Sequence, residues 1–163
     1  MSESARRILF VMLFTTAVLQ TGAHISQSFV NYPAFHLIGI DSFPAYHRVM
    51  TVGAIRFLML PRLVELALAC VVLLFPPRPI RRSLLALATV LALGALISTV
   101  AVQRPIHVQL ETLGNTPELV SRLRSTDLIR HVLQVLRLAL YLSMLWTLVN
   151  PRSDTATRSG PIQ

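Results

Sequence analysis

The chain has 163 residues, 53% of them hydrophobic and only 13% charged, with a mean hydropathy of +0.62. That balance excludes an ordinary soluble domain and points to a single-domain membrane protein. The net charge of +8 comes from 15 arginines against 7 acids, but the arginines are scattered among apolar runs. No soluble basic module is present, which argues against a nucleic-acid partner and leaves the bilayer as the partner the composition demands.

Arg6 and Arg7 precede an apolar run that no small-residue cleavage site follows. Residues 8–28 are therefore predicted as a first span and not as a secretory signal. Gln20, His24 and Gln27 fall at i, i+4 and i+7, on one face of its second half. Between 29 and 49, Pro33, Gly39 and Pro44 interrupt the pattern, with aromatic residues between them. This predicts a packed connection carrying a short interfacial helix at 42–48, with His36 in the surface segment.

The second span is predicted at 51–75, kinked at Pro61, where the helix loses a backbone donor. Arg62 and Glu65 stand three residues apart and can pair, which lowers the cost of two charges in lipid. Cys70 is the only cysteine, so it forms no internal disulfide. The PPRPIRR segment, 76–82, is too brief for anything except joining two antiparallel helices. The third span, 83–103, is apolar first and polar last, ending on Thr99 and Gln103. Pro105 and Pro117 then break the chain, and VQLETL and PELVSRLR read as short amphipathic surface pieces.

The fourth span, 126–149, carries the most informative pattern. Asp127, Arg130, Gln134, Arg137 and Tyr141 follow one another at steps of three and four, so a helix places them in one polar line among Leu, Ile and Val. In a chain this apolar, such a line faces the inside of a bundle. Trp146 fits an interfacial aromatic belt. The tail, 151–163, is polar and predicted to be disordered.

The fold class expected is all-α: a four-helix transmembrane bundle running up-down-up-down over residues 1–150, with short interfacial helices in the 1-2 and 3-4 connections. Seven arginines on one side of the spans against four on the other predict that both termini are cytoplasmic, in a bacterial plasma membrane. This packing sets the second halves of spans one and three beside the first halves of spans two and four. Gln20, His24 and Gln27 then face Arg56, Arg62, Glu65, Thr99, Gln103, Asp127, Arg130, Gln134 and Arg137, around a cavity open to the non-cytoplasmic side.

Ion pairing or cross-helix hydrogen bonding explains any one of these residues. Five polar positions on a single span exceed what packing requires. The candidate catalytic residues are His47, Glu65, His107 and Asp127. Candidate substrate contacts are His24, Tyr46, Arg62, Gln103, Arg130, Gln134 and Arg137, and His131 is a further candidate for a hydrogen-bonding, proton-transfer or ligand histidine. His47, Glu65 and His107 also make a set that suits non-haem iron and, less selectively, copper or zinc, although no local ligand motif such as HExxH is present. Nucleotide-binding, c-type haem and serine-hydrolase signatures are absent from the sequence.

The segments Tyr32-Pro33-x-Phe35, Phe43-x-x-Tyr46-His47, Pro61-x-x-x-Glu65, Gln103-x-Pro105-x-His107-x-x-Leu110 and Asp127-x-x-Arg130 with Arg137 resemble those of small bacterial four-span membrane proteins. In layout these are similar to the anthrone-oxygenase-like family, over roughly residues 8–149. Where that pattern often carries tryptophan near the two arginines, this chain has Leu128 and Gln134. The resemblance implies a monooxygenase or cyclase without an obvious cofactor, acting on a lipophilic, oxygen-bearing, polyketide-like molecule in natural-product biosynthesis. The competing expectations are a small transporter using the Glu65, Asp127 and arginine network, and a non-catalytic membrane subunit; the sequence leaves oligomeric state open.

Overall fold

A computed structural model describes residues 1–150 of the chain. The tail expected at 151–163, with Arg152 and Arg158 of the orientation count, lies outside the described residues.

Four helices make up the structure: α1 (Glu3–Leu37), α2 (Phe43–Leu74), α3 (Arg82–Leu113) and α4 (Pro117–Val149). Each is long and apolar enough to cross a membrane, and together they form an all-α, four-helix integral membrane protein. At 1.5 Å per residue a 33-residue helix such as α4 is about 50 Å long, well beyond a hydrocarbon layer of about 30 Å. The helices therefore reach past the apolar slab or tilt within it.

This corrects the sequence reading of the connections. The segment at 42–48 is the first turns of α2, VQLETL is the last turns of α3, and PELVSRLR is the first turns of α4. None of them is a separate interfacial helix. Only short links remain. The α3–α4 link starts at Gly114, whose φ of 81° ends α3 in a conformation that favours glycine. The next residue, Asn115, donates from its side chain to the carbonyls of Phe35 (2.6 Å) and Ile38 (2.8 Å), satisfying the end of α1. Thr116 then caps α4 by accepting from the Leu119 amide, with Pro117 in the first turn.

The expected breaks at Pro33 and Pro105 are absent for a local reason. Each of α1, α2 and α3 contains one widened turn, at Gln27–Asn31, Ile55–Met59 and Thr99–Gln103. The residue after each turn, Tyr32, Leu60 or Arg104, donates its amide to the carbonyl five residues back. Pro33, Pro61 and Pro105 come immediately next. Proline lacks a donor and its ring crowds the preceding turn, so an i to i−5 turn before it relieves both problems and lets the helix continue. In α4 the only proline, Pro117, stands at the start, and the helix runs 33 residues without such a turn.

The packing divides the bundle lengthwise. One end is filled by Phe10, Leu13, Ala17, Ala69, Val72, Leu85, Ala88, Tyr141 and Met144 from all four helices. The other end is closed by Tyr32, Phe35, Phe43, Ile106, Leu110, Val120 and Leu123. Between these two apolar plugs lie the widened turns and most of the buried polar residues.

Candidate functional site

The inward stripe of α4 is where its spacing places it. Asp127, Arg130, Gln134, Arg137 and Tyr141 are all buried, as are Gln20, His24 and Gln27 on α1, Arg62 and Glu65 on α2, and Gln103 on α3. Beside them is a cavity of about 390 Å³, within the usual range for small-molecule sites. His24, Tyr32, Arg62, Gln103, His107 and Arg130 contribute its polar groups, and Met50, Leu58, Met59 and Leu96 are part of its apolar wall. The widened turns shape it directly, since Gln27, Ile55, Leu58, Met59, Thr99, Val100 and Gln103 all line it.

Two ion-pair clusters flank the cavity. In the first, Arg130 donates to Asp127 through Nε (2.6 Å) and through Nη2. Its Nη1 reaches the Thr99 hydroxyl (3.3 Å) and its Nη2 the Tyr32 oxygen (3.4 Å). The Ser28 hydroxyl donates to the second Asp127 oxygen, and His131 Nδ1 lies 3.1 Å from the Asp127 carbonyl. In the second cluster Glu65 is shared. Arg62 Nη1 donates to its Oε2 at 3.1 Å, while Arg137 Nη1 donates to the same oxygen at 3.1 Å and lies 2.8 Å from Oε1. Arg137 Nη2 reaches the Thr21 hydroxyl at 3.2 Å.

From the first cluster a row of hydrogen bonds continues along the cavity wall. The Tyr32 hydroxyl lies 3.3 Å from His107 Nε2, and His107 Nδ1 lies 3.1 Å from His47 Nε2. Two proton arrangements satisfy these contacts, and one of them runs outward from Arg130. Because Arg130 donates to the Tyr32 oxygen, the phenol proton is free for His107 Nε2. In that arrangement a neutral His107 carries its proton on Nδ1 and donates it to His47 Nε2, leaving His47 protonated on its own Nδ1. Phe35 and Phe43 pack against the His47 ring, at centroid distances of 6.0 and 5.4 Å, and hold it in place.

Several assignments change. Glu65 is hydrogen-bonded to arginines and does not join His47 and His107, so the three-ligand set for iron, copper or zinc is not assembled. Among the described residues no group of three or more His, Cys, Asp or Glu is arranged to hold a metal ion. Tyr46 is 38% exposed and does not line the cavity; the tyrosine at the site is Tyr32. Arg56, expected among the inward-facing groups, is exposed. His47, Glu65, Asp127, Gln134 and Arg137 stand behind the wall, whereas His24, Arg62, Gln103, His107 and Arg130 form part of it. Sequence reasoning also missed Ser28 and Thr21, whose hydroxyls complete the two clusters.

Compared with family models, with curated proteins and with solved structures, the chain matches none.

Proposed function

We propose that this protein is a membrane enzyme that holds a lipophilic, oxygen-bearing molecule in the cavity and removes a proton from it through Tyr32 and His107, preparing it for oxygenation or cyclisation. The observation that carries the reading is the hydrogen-bonded row Arg130, Tyr32, His107, His47, in the arrangement that runs outward from Arg130. As a proton leaves a carbon next to a substrate carbonyl, it passes to the Tyr32 oxygen. The phenol proton moves to His107 Nε2, and the His107 Nδ1 proton moves to His47 Nε2. The electron pair left behind goes to the substrate oxygen, where an arginine on the wall stabilises it, since guanidinium stays charged and presents several donors. For an anthrone the enolate so formed would react with dioxygen, the methylene and O2 giving a carbonyl and water.

The apolar plug from Phe10 to Met144 favours this over transport, because it blocks the end of the bundle away from the cavity with side chains and not with a polar path. The arginine asymmetry supports termini in the cytoplasm of a bacterial cell, which cysteine-accessibility mapping of the 76–82 turn would check.

The test uses the protein in lipid nanodiscs with an anthrone under air, following quinone absorbance and incorporation of labelled dioxygen. Tyr32→Phe removes the transferred proton while keeping the ring, and should lower kcat at least ~100-fold. His107→Gln should do the same. Undiminished turnover in both variants would remove the relay from the mechanism.

A further inference from the structure

The cavity faces lipid on one side, and it carries an excess of positive charge. Helices α2 and α3 pack against each other through 60–74 with 82–98 and again through 43–54 with 104–113. The cavity lies between those two contacts, at the widened turns. Ile55 on α2 and Val100 on α3 line it, yet they are 53% and 47% exposed, so they form a rim that opens sideways into the bilayer. The prolines that follow the two turns provide a physical cause for this parting: the broader turns separate two helices that otherwise pack along their length.

The charge count concerns the buried ionic residues. Among the described residues these are three guanidiniums, Arg62, Arg130 and Arg137, and two carboxylates, Glu65 and Asp127. Asp127 serves Arg130, and Glu65 is divided between Arg62 and Arg137. One positive charge is left over in a region where an intramembrane charge is costly. Arg130 is occupied on all three nitrogens. Arg62, in contrast, makes one hydrogen bond among the described residues and lines the cavity. Of the two buried arginines on the cavity wall it is the one with donors to spare; Arg104, also on the wall, is exposed.

We infer that the occupant of the cavity is an amphiphile with a single anionic oxygen group, dissolved in the bilayer, which enters between α2 and α3 and seats its anion on Arg62. The volume suits the anionic end and part of the apolar body of such a molecule. The remainder of a longer chain passes between Ile55 and Val100 into lipid. His24, whose buried Nδ1 has no hydrogen-bond partner among the described residues, is a second polar contact available to the occupant. This rests on reading the cavity as a ligand site and adds the charge of the ligand and its route of entry.

The test measures saturable binding of labelled dodecanoate, its neutral analogue dodecanol, and the water-soluble anion benzoate to the protein in nanodiscs, with empty nanodiscs subtracted. Dodecanoate should bind at least ~10-fold more tightly than either comparison ligand, since one lost charge-assisted hydrogen bond is worth about that factor or more. Arg62→Gln should bring dodecanoate down to the dodecanol level, and Arg62→Lys should retain part of the preference. Val100→Trp should slow dodecanoate association several-fold. Equal affinity for dodecanoate and dodecanol in the unaltered protein would overturn the anionic occupant, and that comparison stands even if Arg62→Gln does not fold. Benzoate binding as tightly as dodecanoate, or Val100→Trp leaving association unchanged, would overturn entry from the bilayer. Anion binding that persists while Tyr32→Phe turns over anthrone normally would sink the relay and keep this inference; turnover without anion preference would do the reverse.

Discussion

Glu65 and Asp127 are both carboxylates buried beside arginine, yet the clusters around them have opposite character. Asp127 has one guanidinium, a serine hydroxyl and a histidine around it, and its arginine is bonded through every nitrogen. That cluster is neutral and orients Tyr32. Glu65 stands between two guanidiniums, one of which faces the cavity with few bonds. A balanced cluster fixes geometry, while an unbalanced one waits for a counter-charge. The difference lies in the number of arginines per carboxylate, since burial is nearly the same in both.

The largest effect should follow from breaking the unbalanced cluster at its anion. Glu65→Ala leaves Arg62 and Arg137 buried together without compensation, and should destabilise the fold by about 4 kcal/mol. Detergent-solubilised protein should lose its thermal transition or its monodisperse elution. A shift of only a few degrees would mean that the guanidiniums find other partners. The balanced cluster should be more forgiving. Asp127→Asn keeps an acceptor for Arg130, and Thr99 and Tyr32 still hold that guanidinium, so a loss of about 2 kcal/mol is expected. Because it releases one positive charge, it should also tighten dodecanoate binding or leave it unchanged. Weaker binding would mean that Asp127 positions Arg62 as well as Arg130.

A third substitution acts on the backbone between the clusters. Pro105→Ala restores an amide donor in α3 and removes the need for the widened turn before it. If Thr99–Gln103 reverts to ordinary α geometry, stability should rise by about 1 kcal/mol, from helix propensity, while dodecanoate affinity falls as the lining Thr99, Val100 and Gln103 rotate. Differential scanning and binding measured on the same preparation would show the two moving in opposite directions. Unchanged affinity with raised stability would show that the turn is dispensable for the cavity.

That turn also marks where sequence reading stopped. The α4 stripe was legible because steps of three and four have one meaning on a helix, whichever way the helix faces. The pairs Arg62 with Glu65 and Asp127 with Arg130 were legible because partners three apart meet on one face. Arg137 with Glu65 was not, because 72 residues separate them and the pair reaches across the bundle between α2 and α4, each of which packs on α1 and α3. Helix lengths were misjudged at Pro33 and Pro105 because proline acts as a breaker under local rules, and nothing in a short window announces that the preceding turn will widen to absorb it. Tyr46 and Tyr32 both sit near prolines among aromatic residues. Only the continuation of α1 past Pro33 and of α2 back to Phe43 decides that one points inward and the other out.

The smallest expected effect concerns Gln134, which lies on the stripe between the two clusters. Both polar atoms of its side chain are buried with no hydrogen-bond partner among the described residues, and so are Arg137 Nε and the Tyr141 hydroxyl further along the same face. Gln134 was read from the sequence as a substrate contact, but it is not among the residues lining the cavity. A buried amide without partners opposes folding, and an apolar side chain of similar length in its place is close to neutral or stabilising. Gln134→Met should therefore raise stability by up to about 1 kcal/mol and leave dodecanoate binding as it is. A loss of stability would mean that water bridges the amide to Arg137 and Tyr141, making the stripe one continuous network. A loss of binding at constant stability would restore Gln134 to the ligand and extend the cavity toward the Glu65 cluster.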